Sequence, residues 1–185
     1  MSANQVVVDT DFINGITAYR DGDPADLFRR VFTELGKKPV VHAFVAEREL
    51  MHNSIAQTLL EEGYIDSISL TSLCLPEGMD GEKLYLENFE AIYERIEKQK
   101  FPEGIKDIFG RHAGKSFGEI HSILLATELK IPVLYSNDGG AKRAAKFYAR
   151  GRLAVLNAEE VSEQLTESKA ITAKERKFIR NVYRR

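Results

Sequence analysis

Apolar residues fall along this chain in two rhythms, short unbroken runs and longer stretches spaced three or four apart. Val6-Val7-Val8, with no polar alternation, predicts a strand buried on both faces. Pro39-Val40-Val41, Ile131-Pro132-Val133-Leu134-Tyr135 and Leu153-Ala154-Val155-Leu156 predict further strands. Ile65 to Leu70 alternates apolar with polar and predicts a half-buried or edge strand. Helical spacing starts at Asp23-Pro24, an N-cap with Pro at the first helical position, and buries Leu27, Phe28, Val31, Phe32 and Leu35 before Gly36 stops it. A second, long pattern runs from about Ala43 to Glu62 and closes at Gly63. A strongly charged third, Asp80 to Lys100, keeps one stripe of Leu84, Leu86, Phe89, Ile92, Tyr93 and Ile96. Helices are also predicted over Gly118 to Lys130 and Ala141 to Arg150. Two more end the chain, the last opened by the capping-box pair Thr172 and Glu175. Phe101 to Phe117, with Pro102, Gly104, Gly110 and Gly114, reads as an irregular excursion of a length that is often functional.

Strands alternating with helices predict a three-layer α/β/α sandwich around a mostly parallel central sheet. Right-handed crossovers then align the strand C-termini and the following helix N-termini along one edge, the usual ligand position in such sheets. A chain of 185 residues fits one domain, residues 1–185, carrying a helical insertion around 80–117 and a basic C-terminal helix.

Composition narrows the chemistry. The chain is 43% hydrophobic and 29% charged, ordinary for a soluble globular protein. A net charge of -2 excludes a global pull on nucleic acid and leaves only local phosphate contacts. Lys174, Arg176, Lys177, Arg180, Arg184 and Arg185 stand against Glu175 alone in the last dozen residues, a solvated helix face or a phosphate-contacting patch. Cys74 is the one cysteine, so neither an intrachain disulfide nor a thiolate metal site is available. Between Leu73 and Leu75 it is expected to be a small buried hydrophobe. No apolar stretch approaches the ~18 residues of a membrane span, and no secretory signal is evident, which predicts a cytoplasmic protein without membrane contact.

Four acids satisfy the edge rule. Asp9 ends the first strand, Asp138 follows another by two residues, and Glu119 starts a helix. The fourth comes from the helix after Val41, where Glu47 and Glu49 compete from positions about 200° apart. Phe44, Leu50, Met51, Ile55 and Leu59 define that helix's core face and favour Glu47 as the inward acid. Each acid has a bland alternative: Asp9 and Asp11 as turn caps, Glu119 as the partner of Ser116 in a capping box, Asp138 as the cap of the helix after Gly139-Gly140. Capping alone does not require all four to share one edge. Bare, each close carboxylate pair would repel by roughly 4 kcal/mol at an effective dielectric near 20. A divalent cation removes that penalty, and oxygen-only donors suit Mg²⁺ or Mn²⁺. Such a site activates water and clamps phosphate. Ser136, Asn137, Lys142 and Arg143 flank the Asp138 turn as substrate-phosphate contacts or as ordinary surface. His42, His52 and His112 show no metal-ligand pairing, and His121 is read as a surface or satisfied histidine on a different helix face from Glu119.

As an ordered set these motifs resemble the PIN-domain nucleases. Val6 to Ile13 resembles that family's opening strand with its first metal-binding Asp, Val45 to Leu50 its acid-bearing helix, and Gly118 to Ala126 with Ile131 to Asp138 its C-terminal half. The resemblance implies a Mg²⁺- or Mn²⁺-dependent ribonuclease acting on single-stranded RNA. It further implies metal ligands Asp9, Glu47, Glu119 and Asp138, with Asp11 and Glu49 as alternatives or neighbours. The family also includes toxins held by an antitoxin protein partner, and homodimers are frequent in it. The long stretch from Asp80 to Phe117 departs from the small toxin nucleases. Two other readings stay open: a PIN-like RNA- or protein-binding module without turnover, and a haloacid dehalogenase-type phosphatase, which also opens with a strand and Asp-x-Asp and would use Asp9 as nucleophile and Asp11 as acid.

Overall fold

In the computed structural model, which describes residues 4–103, 105, 107–110 and 114–182, five strands form one parallel sheet. They are β1 (Gln5–Val8), β2 (Lys38–His42), β3 (Asp66–Ile68), β4 (Val133–Tyr135) and β5 (Ala154–Leu156), in the order β3-β2-β1-β4-β5. The helices in chain order are α1 (Thr10–Thr17), α2 (Pro24–Glu34), α3 (Ser54–Glu61), α4 (Gly81–Glu97), α5 (Phe117–Glu128), α6 (Gly139–Tyr148), α7 (Ala158–Gln164) and α8 (Ala173–Arg180).

The valines of β1 explain the layering. Val6 and Val8 pack with Phe12, Phe28, Leu59, Val161 and Ile179 on the face covered by α1, α2, α3, α7 and α8. Val7 points the other way, among Tyr85, Phe89, Ile120 and Ala144 of α4, α5 and α6. All three valines are fully buried, so the central strand is shielded on both faces, as its unbroken apolar run predicts. The result is the three-layer α/β/α sandwich. Helix α4 belongs to its layer, with Tyr85, Phe89, Ile92 and Tyr93 buried.

Chain order matters for the site. From β1 the chain steps outward to β2 and β3, then returns to the other side of β1 for β4 and β5. The carboxyl ends of β1 and β4 therefore flank the point where strand order reverses, the crevice in which open α/β sheets bind ligands. Asp9 N–H donates to Tyr135 O at 3.0 Å, fixing the two strand ends side by side.

Local signals hold well at the caps. Asp23 accepts from the N–H groups of Ala25 and Asp26 at 2.8 and 3.2 Å, and Thr172 and Glu175 form a complete capping box. Three expectations are corrected. The helix expected over Ala43 to Glu62 is broken: Val45–Glu49 is a π-helical turn closed by Leu50 N–H to Val45 O at 2.9 Å, and α3 starts afresh with Asn53 capping Ala56 N–H. Helix α1 escapes the sequence because Asn14, Gly15 and its threonines are weak helix formers; Asp9 caps it and burial of Phe12, Ile13 and Ile16 holds it. Cys74 is exposed, because the segment carrying it makes no strand or helix and leaves the thiol at the surface. Gly104 and His112 of the irregular excursion, and Arg184 and Arg185 of the basic terminus, lie outside the described residues. Among the described residues no helix is long and apolar enough to cross a membrane.

Candidate metal centre

Asp9 is the fixed point of the crevice. It is only 2% exposed. Its Oδ1 accepts the Phe12 N–H at 3.0 Å as the cap of α1, while Oδ2 has no hydrogen-bond partner among the described residues. Burial pushes its carboxyl up to about 8, against the downward pull of the Ser136 hydroxyl and the Phe12 N–H; Glu119 and Asp11 add to the rise. A buried carboxylate oxygen without a partner is rare and unfavourable in a folded protein.

The other acids arrive from separate elements. Glu49, at the end of the π turn, accepts a hydrogen bond from Thr10 Oγ1 through Oε2 and from Gly118 N–H at 3.2 Å through Oε1. It thus ties the start of α1 to the start of α5. Desolvation raises its pKa first, the two donors oppose the shift, and Asp11 adds to it. Glu119, on the first turn of α5, is pushed up to about 7 by burial, with Glu49, Asp138 and Asp11 contributing like charge. Asp138 caps α6 by accepting Ala141 N–H at 2.9 Å, and its own N–H donates to Ser136 Oγ at 3.1 Å. The Ser136 side chain also bears on Asp9, whose carboxyl it pulls down without bonding to Oδ2. Asp11, exposed at the mouth, is raised by partial desolvation and then by Asp138.

Glu47 is corrected: it is exposed and Glu49 faces the crevice. Met51, used to define the core face, is itself 52% exposed. The π turn advances the chain by fewer degrees per residue than an α-helix, so the spacing that favoured Glu47 does not apply across it. Thr10 was not singled out by the sequence at all, although its place directly after Asp9 was its one available signal. Ser116 does not cap α5: it adopts a left-handed conformation (φ 65°) and its Oγ donates to Glu97 Oε1 at 2.6 Å. The capping-box explanation of Glu119 therefore fails.

The expected substrate contacts divide. Ser136 and Asn137 are buried, and Asn137 Oδ1 accepts Ala158 N–H at 2.9 Å at the start of α7. Lys142 is paired with Glu160 at 2.9 Å. Arg143 is exposed, and its guanidinium folds back over the first turn of α6, where a Cβ on Gly139 would lie 3.4 Å from Nη1. His121 is a satisfied core histidine. Tyr85 OH meets Nδ1 at 2.7 Å, Nε2 meets Ile108 O at 3.1 Å, and burial first, then the neighbouring His42, pushes its pKa down to about 3.

The donor set fits a hard divalent cation in kind: five carboxylates, a buried carboxylate oxygen without a partner, and no competing cationic side chain bonded to any of them among the described residues. Among the described residues, however, no three His, Cys, Asp or Glu side chains stand close enough to hold a metal ion as they lie. The acids are neighbours that feel each other's charge, with Asp9, Glu49 and Asp138 each held by its own hydrogen bonds. No protein-family model, no curated protein and no solved structure matches the chain.

Proposed function

We propose that this chain is a Mg²⁺- or Mn²⁺-dependent ribonuclease of PIN-like design that hydrolyses phosphodiester bonds in single-stranded RNA. The observation that carries the proposal is Asp9, buried at the switch point of a parallel sheet with one oxygen unpartnered and four further acids around it. Stability gives no reason to bury that oxygen; ligand binding does.

Asp9, Glu49, Glu119 and Asp138 are the residues that would hold the ion, with Asp11 at the mouth. When bound, the ion supplies positive charge against the phosphate and a more acidic water. Glu119, on the first turn of α5 among these acids, would also be placed to take a proton from the attacking water. Thr10 and the Gly118 N–H hold Glu49 in orientation, and Ser136 Oγ accepts the Asp138 N–H. Hydrolysis forms the new phosphorus–oxygen bond from water, breaks the bond to the leaving ribose oxygen, and returns a proton to that oxygen.

Incubation of single-stranded RNA with the purified protein tests this. Cleavage is expected with Mn²⁺ or Mg²⁺, no cleavage in EDTA, and a fall of about 100-fold or more in Asp9→Asn. Undiminished cleavage by Asp9→Asn would overturn the proposal. So would hydrolysis of small phosphate monoesters without RNA cleavage, which the phosphatase chemistry requires.

A further inference from the structure

Of the residues first associated with substrate, Arg143 alone remains exposed and unpaired, and its surroundings extend the site. Between α4 and α6 runs a groove of about 730 Å³ lined by Glu94, Arg95, Lys98, Arg143, Lys146 and Phe147. Four of these six are cations, and among the described residues none of the four forms an ion pair. On a chain of net charge -2 this is a local concentration of positive charge. Phe147 is 62% exposed, unusual for so large an apolar ring, and the Arg95 guanidinium lies over it at 4.2 Å from the ring centroid. Arg143, Lys146 and Phe147 sit at i, i+3 and i+4 on one face of α6, Arg95 is in the last turn of α4, and Lys98 is the left-handed residue that closes it.

The Arg143 end of the groove lies beside Asp138: a Cβ on Gly140 would be 3.8 Å from Arg143 Nη2. The two helices approach closely where a Cβ on Gly140 would come within 3.1 Å of Ile96 Cγ2 and 2.7 Å of Asp138 Oδ1. Phe147 is nine residues beyond Asp138, about 13 Å along the helix axis, a distance of a few nucleotides. Cations that can follow a phosphate backbone, with an open aromatic face between them, match an unpaired strand whose bases are free to stack. A duplex hides those faces.

We propose that the α4–α6 groove binds single-stranded RNA leading away from the metal centre, with Phe147 and Arg95 forming a base-stacking platform and Arg143, Lys146 and Lys98 contacting phosphates. This rests on the nuclease reading for the identity of the strand, and its test does not depend on turnover. Binding of a short fluorescein-labelled RNA is followed by anisotropy in EDTA. Phe147→Ala is expected to weaken binding about 10-fold and Phe147→Tyr to preserve it. Arg143→Gln and Lys146→Gln are each expected to reduce the dependence of log K on log salt by about 0.7. An affinity unchanged by Phe147→Ala overturns the proposal, as does equal affinity for duplex RNA or for polyglutamate. Binding that follows the expected pattern without any Mn²⁺-dependent cleavage keeps the groove and refutes the nuclease.

Discussion

A carboxyl group sealed at the end of β1 keeps its proton more tightly than the same group in the unfolded chain. Asp9 rises from 3.8 to about 8, mainly through burial. Its contribution to stability is therefore whole below the unfolded value and is lost as pH rises through about 8. Asn at this position carries no charge at any pH. In EDTA, the melting temperature of Asp9→Asn is expected to gain on that of the wild type as pH rises from 5 to 9, by about 5 °C across that range. Circular dichroism melts across that range check it, and a difference independent of pH would contradict the burial argument. Comparison with the variant removes the opposite trend from His42 and His121, whose lowered values make the fold less stable below about pH 6.5. Asp9, Glu119 and Asp138 were legible in the sequence because each follows a strand end or opens a helix, positions that topology alone aligns. Asn137 and Lys142 misled for a different reason: what they bond to, Ala158 and Glu160, is distant in sequence and fixed only by packing.

Among the elements, the π turn Val45–Glu49 decides which glutamate serves the crevice. Glu49→Gln is expected to lower metal-dependent cleavage about 100-fold, whereas Glu47→Gln changes it less than 2-fold. Gly118→Ala supplies a second variant: its Cβ would overlap the Glu49 carboxylate, the mobile end of a side chain, so the fold survives while the acid is displaced. It is expected to melt within a few degrees of the wild type and to lose cleavage about 10-fold or more. Equal effects at Glu47 and Glu49 would contradict the assigned orientation. Periodicity missed the turn because it assumes one constant angle per residue. The break was nonetheless written in Asn53-Ser54, an N-cap signature inside the expected helix, which Asn53 fulfils. Helix α1 was hidden because its residues are weak helix formers, and what holds it, the Asp9 cap and the burial of Phe12, Ile13 and Ile16, comes from the folded surroundings.

At the scale of the whole molecule, the sheet order β3-β2-β1-β4-β5 gathers acids from α1, the π turn, α5 and α6 at one reversal point. Unbroken apolar runs and intervening helical spacing made the layers and the edge readable from sequence. The distances between carboxylates were not, since like charges held by separate hydrogen bonds stand apart unless a cation draws them together. Among the described residues they do not form a ready-made cage, so the account requires a site completed on binding. Anomalous diffraction from crystals soaked in Mn²⁺ measures this most directly. A difference peak within coordination distance of Asp9 Oδ2 and of at least two among Glu49, Glu119 and Asp138 is the expected result. Saturating Mn²⁺ with no peak at Asp9, or with peaks only elsewhere on the surface, would contradict it.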